Sequence, residues 1–144
     1  MKFFVNDQNG FQDIWGELVI VPVFANDFNG SEADHSESFS ELNAAVASDG
    51  GIMRLARNES FEAKNGTMLR YFTDGSISAQ QVMLVGLGEK EKVTSTSLQE
   101  ALAKVFKKVK KLKLGEVTLD LRPLLEDDQF EGGPLGSMVG SLVC

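Results

Sequence analysis

Glu17-Leu18-Val19-Ile20-Val21-Pro22-Val23-Phe24 is a near-continuous run of aliphatic and β-branched side chains. A strand with one wet face alternates apolar and polar residues. A run almost without polar members belongs to a strand covered on both faces, as in a sheet flanked by helices. Pro22 has no backbone donor for a ladder, so it is expected near the strand's end or at a bulge. Gln81-Val82-Met83-Leu84-Val85-Gly86 has the same character and ends in the loop Gly86-Leu87-Gly88. After a polar lead-in at 94–97, Ala101, Leu102, Val105, Phe106, Val109 and Leu112 recur at spacings of 1, 3 and 4. That is the apolar stripe of an amphipathic helix, with Ser97 and Glu100 as its expected capping box and Gly115 as its stop. Glu116–Leu121 follows as a further strand. Strand, helix, strand in this order predicts a right-handed crossover between parallel neighbours.

Working outward, 26–36 is rich in Asn, Asp, Gly, Ser and Glu and reads as an exposed loop. Ser38 with Glu41 matches a capping box for a helix to about Ser48, with Phe39, Leu42, Ala45 and Val46 as its apolar face and Gly50-Gly51 as its stop. Asn65-Gly66 is a hairpin signal of type I′, because both residues tolerate positive φ. Ser60–Lys64 and Thr67–Thr73 are the strands expected to flank it. The coarse order is β-β-α-(α or β)-β-β-β-α-β, then a Gly-rich end. This places the chain in the α/β class: a mixed, mostly parallel sheet with helices on its faces. Val19, Val21, Val82, Leu84, Leu119, Val105 and Phe106 are expected to share one core.

The 144 residues are the length of one domain, taken here as 1–144, with a tail from about 126. The single cysteine, Cys144, allows no disulfide within the chain, which fits a reducing compartment. The apolar start at Phe3-Phe4-Val5 is too short for a signal peptide. No run approaches the roughly 18 apolar residues of a membrane helix, since Glu17 and Pro22 interrupt 14–24. A soluble, cytoplasmic protein is expected. The net charge of −7 speaks against broad nucleic-acid affinity, yet six of the fourteen basic residues fall in 104–113. Lys104, Lys107, Lys108 and Lys111 share the face opposite the apolar stripe. They form a weak anion or nucleic-acid face at most, and no aromatic or arginine interleaves them for base readout.

The chain has no H-E-x-x-H, C-x-x-C, G-x-S-x-G or G-x-x-x-x-G-K-[ST]. Its one histidine, His35, lies between Asp34 and Glu37 and reads as a solvated loop residue rather than a ligand. Gly86-Leu87-Gly88 lacks the rest of a dinucleotide fingerprint: position 91 is Glu91, and Glu89 would repel an anion. A tight structural turn is the reading for it. Leu42-Asn43-Ala44-Ala45 and Asp49-Gly50-Gly51 are a weak match to segments of macro domains, which bind ADP-ribose. No catalytic, cofactor-binding or metal residue is assigned.

Several segments together resemble one family. Gly16–Phe24 is similar to the "A-D-x-L-V-V-P-V-F" strand of leucyl (cytosol) aminopeptidases, and Ala79–Glu89 to their "A-R-R-V-L-L-V-G-L-G-K" strand and turn. Phe61-Glu62-Ala63-Lys64-Asn65-Gly66 resembles the family's "F-x-G-K-x-G", with Ala63 in place of the first glycine. Val117-Thr118-Leu119-Asp120-Leu121 resembles "V-x-L-D-L". Gln80 and Gln81 stand where arginines are usual. Glu131-Gly132 falls where those enzymes lead into their catalytic domain. The resemblance implies a macro-like three-layer α/β/α fold and a non-catalytic N-terminal domain acting in oligomer assembly or regulation. It also implies two divalent metals in a catalytic domain, around an "N-T-D-A-E-G-R" motif that this sequence lacks. The chain alone is therefore expected to be no peptidase, with the catalytic domain and further copies as partners. The alternative is a free-standing macro-like module binding a nucleotide or nucleic acid.

Overall fold

The computed structural model describes residues 2–6, 10, 13–14, 16–29, 37–45, 51–73, 75 and 77–125. Five strands form one sheet: β1 (Lys2–Asn6), β2 (Leu18–Val23), β3 (Met68–Phe72), β4 (Gln81–Gly86) and β5 (Glu116–Asp120). Their order is β1-β5-β2-β4-β3. The β1–β5, β5–β2 and β2–β4 ladders are parallel and only β3, at one edge, runs antiparallel, against β4. The expected mixed, mostly parallel sheet is thus observed.

Every residue of β2 is buried, as its unbroken apolar run predicts for a central strand. Pro22 is its fifth residue, paired with Val85. Val23 O accepts from Leu87 N, and Ala25 N donates to Gly88 O. Odd-numbered backbone groups of β2 therefore face β4, and Pro22 faces the β5 side, where the ladder already ends at Ile20. The missing donor costs no ladder bond.

The helices are α1 (Asn26–Asn29), α2 (Glu37–Ala45), α3 (Gly51–Asn58), α4 (Ser95–Lys111) and α5 (Arg122–Leu125). Because side chains alternate across a strand, the apolar runs feed two cores rather than the single one expected. Leu18, Ile20, Met83, Val85, Val117 and Leu119 meet α4 through Leu98, Leu102, Val105, Phe106 and Val109. Val19, Val21, Val82 and Leu84 meet Phe39 and Leu42 of α2 and Ile52 and Ala56 of α3 on the opposite face. The result is a three-layer α/β/α sandwich.

Other expectations need correction. β4 and β5, joined through α4, are parallel but not neighbours, because β2 lies between them. Residues 26–29 are helix rather than exposed loop: Asp27, 1% exposed, reaches back to accept from Phe24 N at 2.9 Å, as the acid of a capping box does. α2 begins at Glu37, ahead of Ser38, and Glu41 pairs instead with Arg122 at 2.8 Å. Gly51 opens α3 rather than closing α2.

The cap of α4 is Thr94, which exchanges hydrogen bonds with Ser97 at 3.1 and 2.9 Å; the Ser97–Glu100 box is displaced by three residues. No strand forms at 60–64, since Ser60 and Ala63 take φ of 55° and 58°, which extended backbone excludes. At 64–67 only Gly66 has positive φ (82°), and Thr67 N donates to Lys64 O. That is the pattern of a type II turn rather than type I′.

Candidate functional site

The carboxyl ends of β2 and β4 are adjacent, Val23 against Gly86. In parallel sheets this is where the chain leaves the strands and where ligand crevices form. A cavity of about 390 Å³ opens just beyond them, lined by Ala25, Phe28, Phe61, Glu62, Lys64, Gly88 and Glu89. Its walls are tied to one another and to α3 by backbone bonds: Ala25 N to Gly88 O (2.9 Å), Gly88 N to Ala63 O (2.8 Å) and Phe61 N to Ala56 O (2.8 Å). Asn26 pins the 88–91 loop, its Oδ1 accepting from Lys90 N (3.0 Å) and its Nδ2 donating to Glu91 (3.4 Å). Phe28 stacks between Phe39 and Phe61, with centroids 5.1 and 5.2 Å away, the second pair edge-to-face. At the rim Glu62 pairs with Lys64 (3.3 Å), and Glu89 with Lys92 (3.1 Å).

The Gly86-Leu87-Gly88 segment is a packed turn. A Cβ on Gly86 would lie 2.5 Å from Ala63 C and 2.6 Å from Thr67 Oγ1, and against Lys64 O. The three amides donate to Thr67, Val23 and Ala63 carbonyls, so the donors that a phosphate loop directs at its ligand are already committed. Ala63, fully buried with φ 58°, occupies the left-handed region that glycine adopts without strain. A glycine at this place in the "F-x-G-K-x-G" pattern has the same physical reason.

A charge cluster missed in the sequence sits at the carboxyl ends of β1 and β5. Asp120 is fully buried. It accepts from Asn6 Nδ2 (3.1 Å), from Arg122 Nε (3.0 Å) and from Arg122 Nη2 (3.0 Å). Arg122 Nη1 reaches Glu41 of α2 at 2.8 Å. Burial opposes the charged guanidinium, but its hydrogen bonds and charge attraction to Asp120 and Glu41 outweigh this and raise its pKa above the ordinary value. The signal was available: an acid within the otherwise apolar Val117–Leu121, with an arginine two residues on. The arrangement bolts two strand ends and a helix together and leaves little of either charge to solvent.

Lys104, Lys107, Lys108 and Lys111 are all exposed on α4. Lys104 also leans over the turn, since a Cβ on Gly66 would be 2.9 Å from its Nζ. Asn43 lies within α2, and its Oδ1 is buried without a hydrogen-bond partner among the described residues. His35, Asp34, Asp49, Gly50, the acidic 126–128, Gly132-Gly133 and Cys144 lie outside the described residues, as do the side chains of Glu37 and Ser38. Among the described residues no three His, Cys, Asp or Glu side chains gather as a metal site, and no helix is long and apolar enough to cross a membrane.

Residues 20–130 match the family model described as cytosol aminopeptidase family, N-terminal domain. A Sulfurihydrogenibium protein, described as a probable cytosol aminopeptidase, is 32% identical over 74 residues, which are 51% of this chain and 15% of that protein. The macrodomain of Mycobacterium tuberculosis DarG superposes with a TM-score of 0.68 at 9% identity, over 96% of this chain and 89% of that one. Tomato leucine aminopeptidase superposes with a TM-score of 0.60 at 16% identity, over 83% of this chain and 22% of that one. At such identities the two superpositions speak for the fold alone. The chain thus spans about a seventh of the curated relative's length and less than a quarter of the tomato enzyme's.

Proposed function

The chain belongs to the cytosol aminopeptidase family through its N-terminal domain, and on that premise we propose that it is the non-catalytic part of a metal-dependent leucyl aminopeptidase, acting in oligomer assembly or regulation. The observation that carries the reading is the match over 20–130 to an N-terminal domain. In this reading the peptide-cleaving groups and two divalent metals belong to a catalytic domain that is the chain's partner, and the protein works in the cytoplasm as a homo-oligomer. Supporting assembly, both sheet edges carry exposed apolar side chains: Phe4 (49%) and Val5 (45%) on β1, Phe72 (57%) on β3. An unpaired edge strand with such side chains is a surface that other proteins cover or blunt.

The activity half is tested by leucine p-nitroanilide hydrolysis with added Mn²⁺ or Zn²⁺. The chain alone is expected to give no turnover; chelator-sensitive turnover that follows the purified chain would overturn the reading. The assembly half is tested by light scattering on this domain joined to a family catalytic domain, with and without Phe4→Asp and Phe72→Asp. A lower particle mass or altered kinetics in the variant is expected, and no change in either counts against it.

A second reading, a macro-like module that binds a nucleotide or nucleic acid, draws on the cavity at the carboxyl ends of β2 and β4. Against it weigh Glu62 and Glu89 on the rim and the committed amides of 86–88.

A further inference from the structure

The cavity beyond β2 and β4 has a composition that selects one class of small molecule. One side is aromatic, Phe28 and Phe61, with Ala25 and Gly88 adding apolar and backbone surface. The rim carries both charges, Glu62 and Glu89 against Lys64, with Lys92 beside Glu89. At about 390 Å³ it lies at the small end of ligand pockets, which span roughly 300–1,000 Å³; a dinucleotide is too large. The three charged lining residues sum to −1, which disfavours a dianionic phosphate. A zwitterion with an apolar body satisfies every part: ammonium towards Glu62 or Glu89, carboxylate towards Lys64, side chain against the phenyl rings.

The walls are also held in place before any ligand arrives. Ser60 and Ala63, non-glycine residues at φ of 55° and 58°, bracket Phe61 and Glu62. Such conformations cost about 1–3 kcal/mol each and persist where the surroundings enforce them. Here the enforcing bonds are Phe61 N to Ala56 O and Gly88 N to Ala63 O. Asn26 fixes the opposite loop through Lys90 N and Glu91. A cavity assembled in this way binds without first ordering its walls.

We infer that this cavity is a binding site for a free apolar α-amino acid, with an aromatic or branched side chain seated on Phe28 and Phe61. The inference rests on the cavity's chemistry and stands apart from the family reading, so the chain itself suffices to test it. Each rim charge is exposed, so each ion pair contributes modestly. Together they favour L-phenylalanine over N-acetyl-phenylalaninamide, which lacks both charges, by about tenfold.

The experiment is an amide NMR titration of the chain with L-phenylalanine, N-acetyl-phenylalaninamide and adenosine monophosphate. Saturable shifts confined to 25–28, 61–64 and 88–89 are expected for L-phenylalanine, about tenfold weaker for the neutral amide. Lys64→Gln, at a side chain 77% exposed and so harmless to folding, should remove most of that preference. Phe28→Leu should weaken both ligands alike. The inference fails if L-phenylalanine gives no saturable shifts or shifts elsewhere. It also fails if the neutral amide binds equally, if adenosine monophosphate binds more tightly, or if Lys64→Gln leaves the preference intact.

Discussion

Substituting Gly86 by alanine should damage the fold far more than one methyl group suggests. Gly86 is the last residue of β4, and its α-hydrogen faces the 63–67 turn. The added Cβ would meet Ala63 C at 2.5 Å, Thr67 Oγ1 at 2.6 Å and Lys64 O. Two of these are backbone atoms, so a rotamer change cannot relieve the overlap. The turn must move, and it is held by Gly66 N to Gly86 O (3.0 Å), Gly86 N to Thr67 O (2.8 Å) and Gly88 N to Ala63 O (2.8 Å). Losing two or three such bonds costs about 1 kcal/mol each, a range similar to the ~1–3 kcal/mol of core overpacking. Alanine recovers about 0.5–1 kcal/mol of strand preference.

The net expectation is a loss of about 1–2.5 kcal/mol, or roughly 3–10 °C in Tm for a chain of this size. Urea denaturation followed by circular dichroism measures it. Gly75→Ala is the converse case: unlike Gly86 it has positive φ (86°), but its Cβ meets nothing within 4 Å, so it carries only a backbone term of about 1–2 kcal/mol. If Gly86→Ala loses nothing, or gains only the strand preference of alanine, the close approach of the turn is wrong.

Leu84→Ala, at a fully buried site on the α2/α3 face, should cost about 2–5 kcal/mol in the same melts; a loss well below this would mean the site collapses or is misplaced. Arg122→Met strips Asp120 of its counter-charge and should cost about 3–5 kcal/mol. Because the folded-state pKa of Arg122 is raised above the ordinary guanidinium value, its contribution is fully present below that value and lost only above it. The deficit of the variant should therefore be level through neutral and mildly alkaline pH, and a deficit that fades there would contradict the pairing. Random duplex DNA should show no measurable binding at physiological salt. Engagement of four phosphates would give a log–log salt slope of about −3.6, and submicromolar binding lost on changing Lys104, Lys107, Lys108 and Lys111 to glutamate would refute the reading of that face as a weak one at most.

By itself the sequence determined the sheet and its class. Unbroken apolar runs at 17–24 and 81–86 mark strands buried on both faces, and the stripe from Ala101 to Leu112 marks the helix between β4 and β5. These signals depend on periodicity and local chemistry, which need no knowledge of neighbours. Only the tertiary structure decided which strand lies beside which, so that β2 separates β4 from β5 and alternate side chains of one run serve two cores. Local capping preference proposed Ser38 and Ser97; the docking of α2 and α4 chose Glu37 as a start and Thr94 as a cap instead. Asn65-Gly66 has the composition of a hairpin turn, but the approach of Gly86 fixes Ala63 in left-handed backbone and rules out the first strand. Likewise Asp120, Arg122, Asn6 and Glu41 are scattered over more than a hundred positions, and Phe28, Phe61 and Glu89 over sixty. Parallel strands place their carboxyl ends together, and it is that convergence, absent from any local pattern, which makes both clusters.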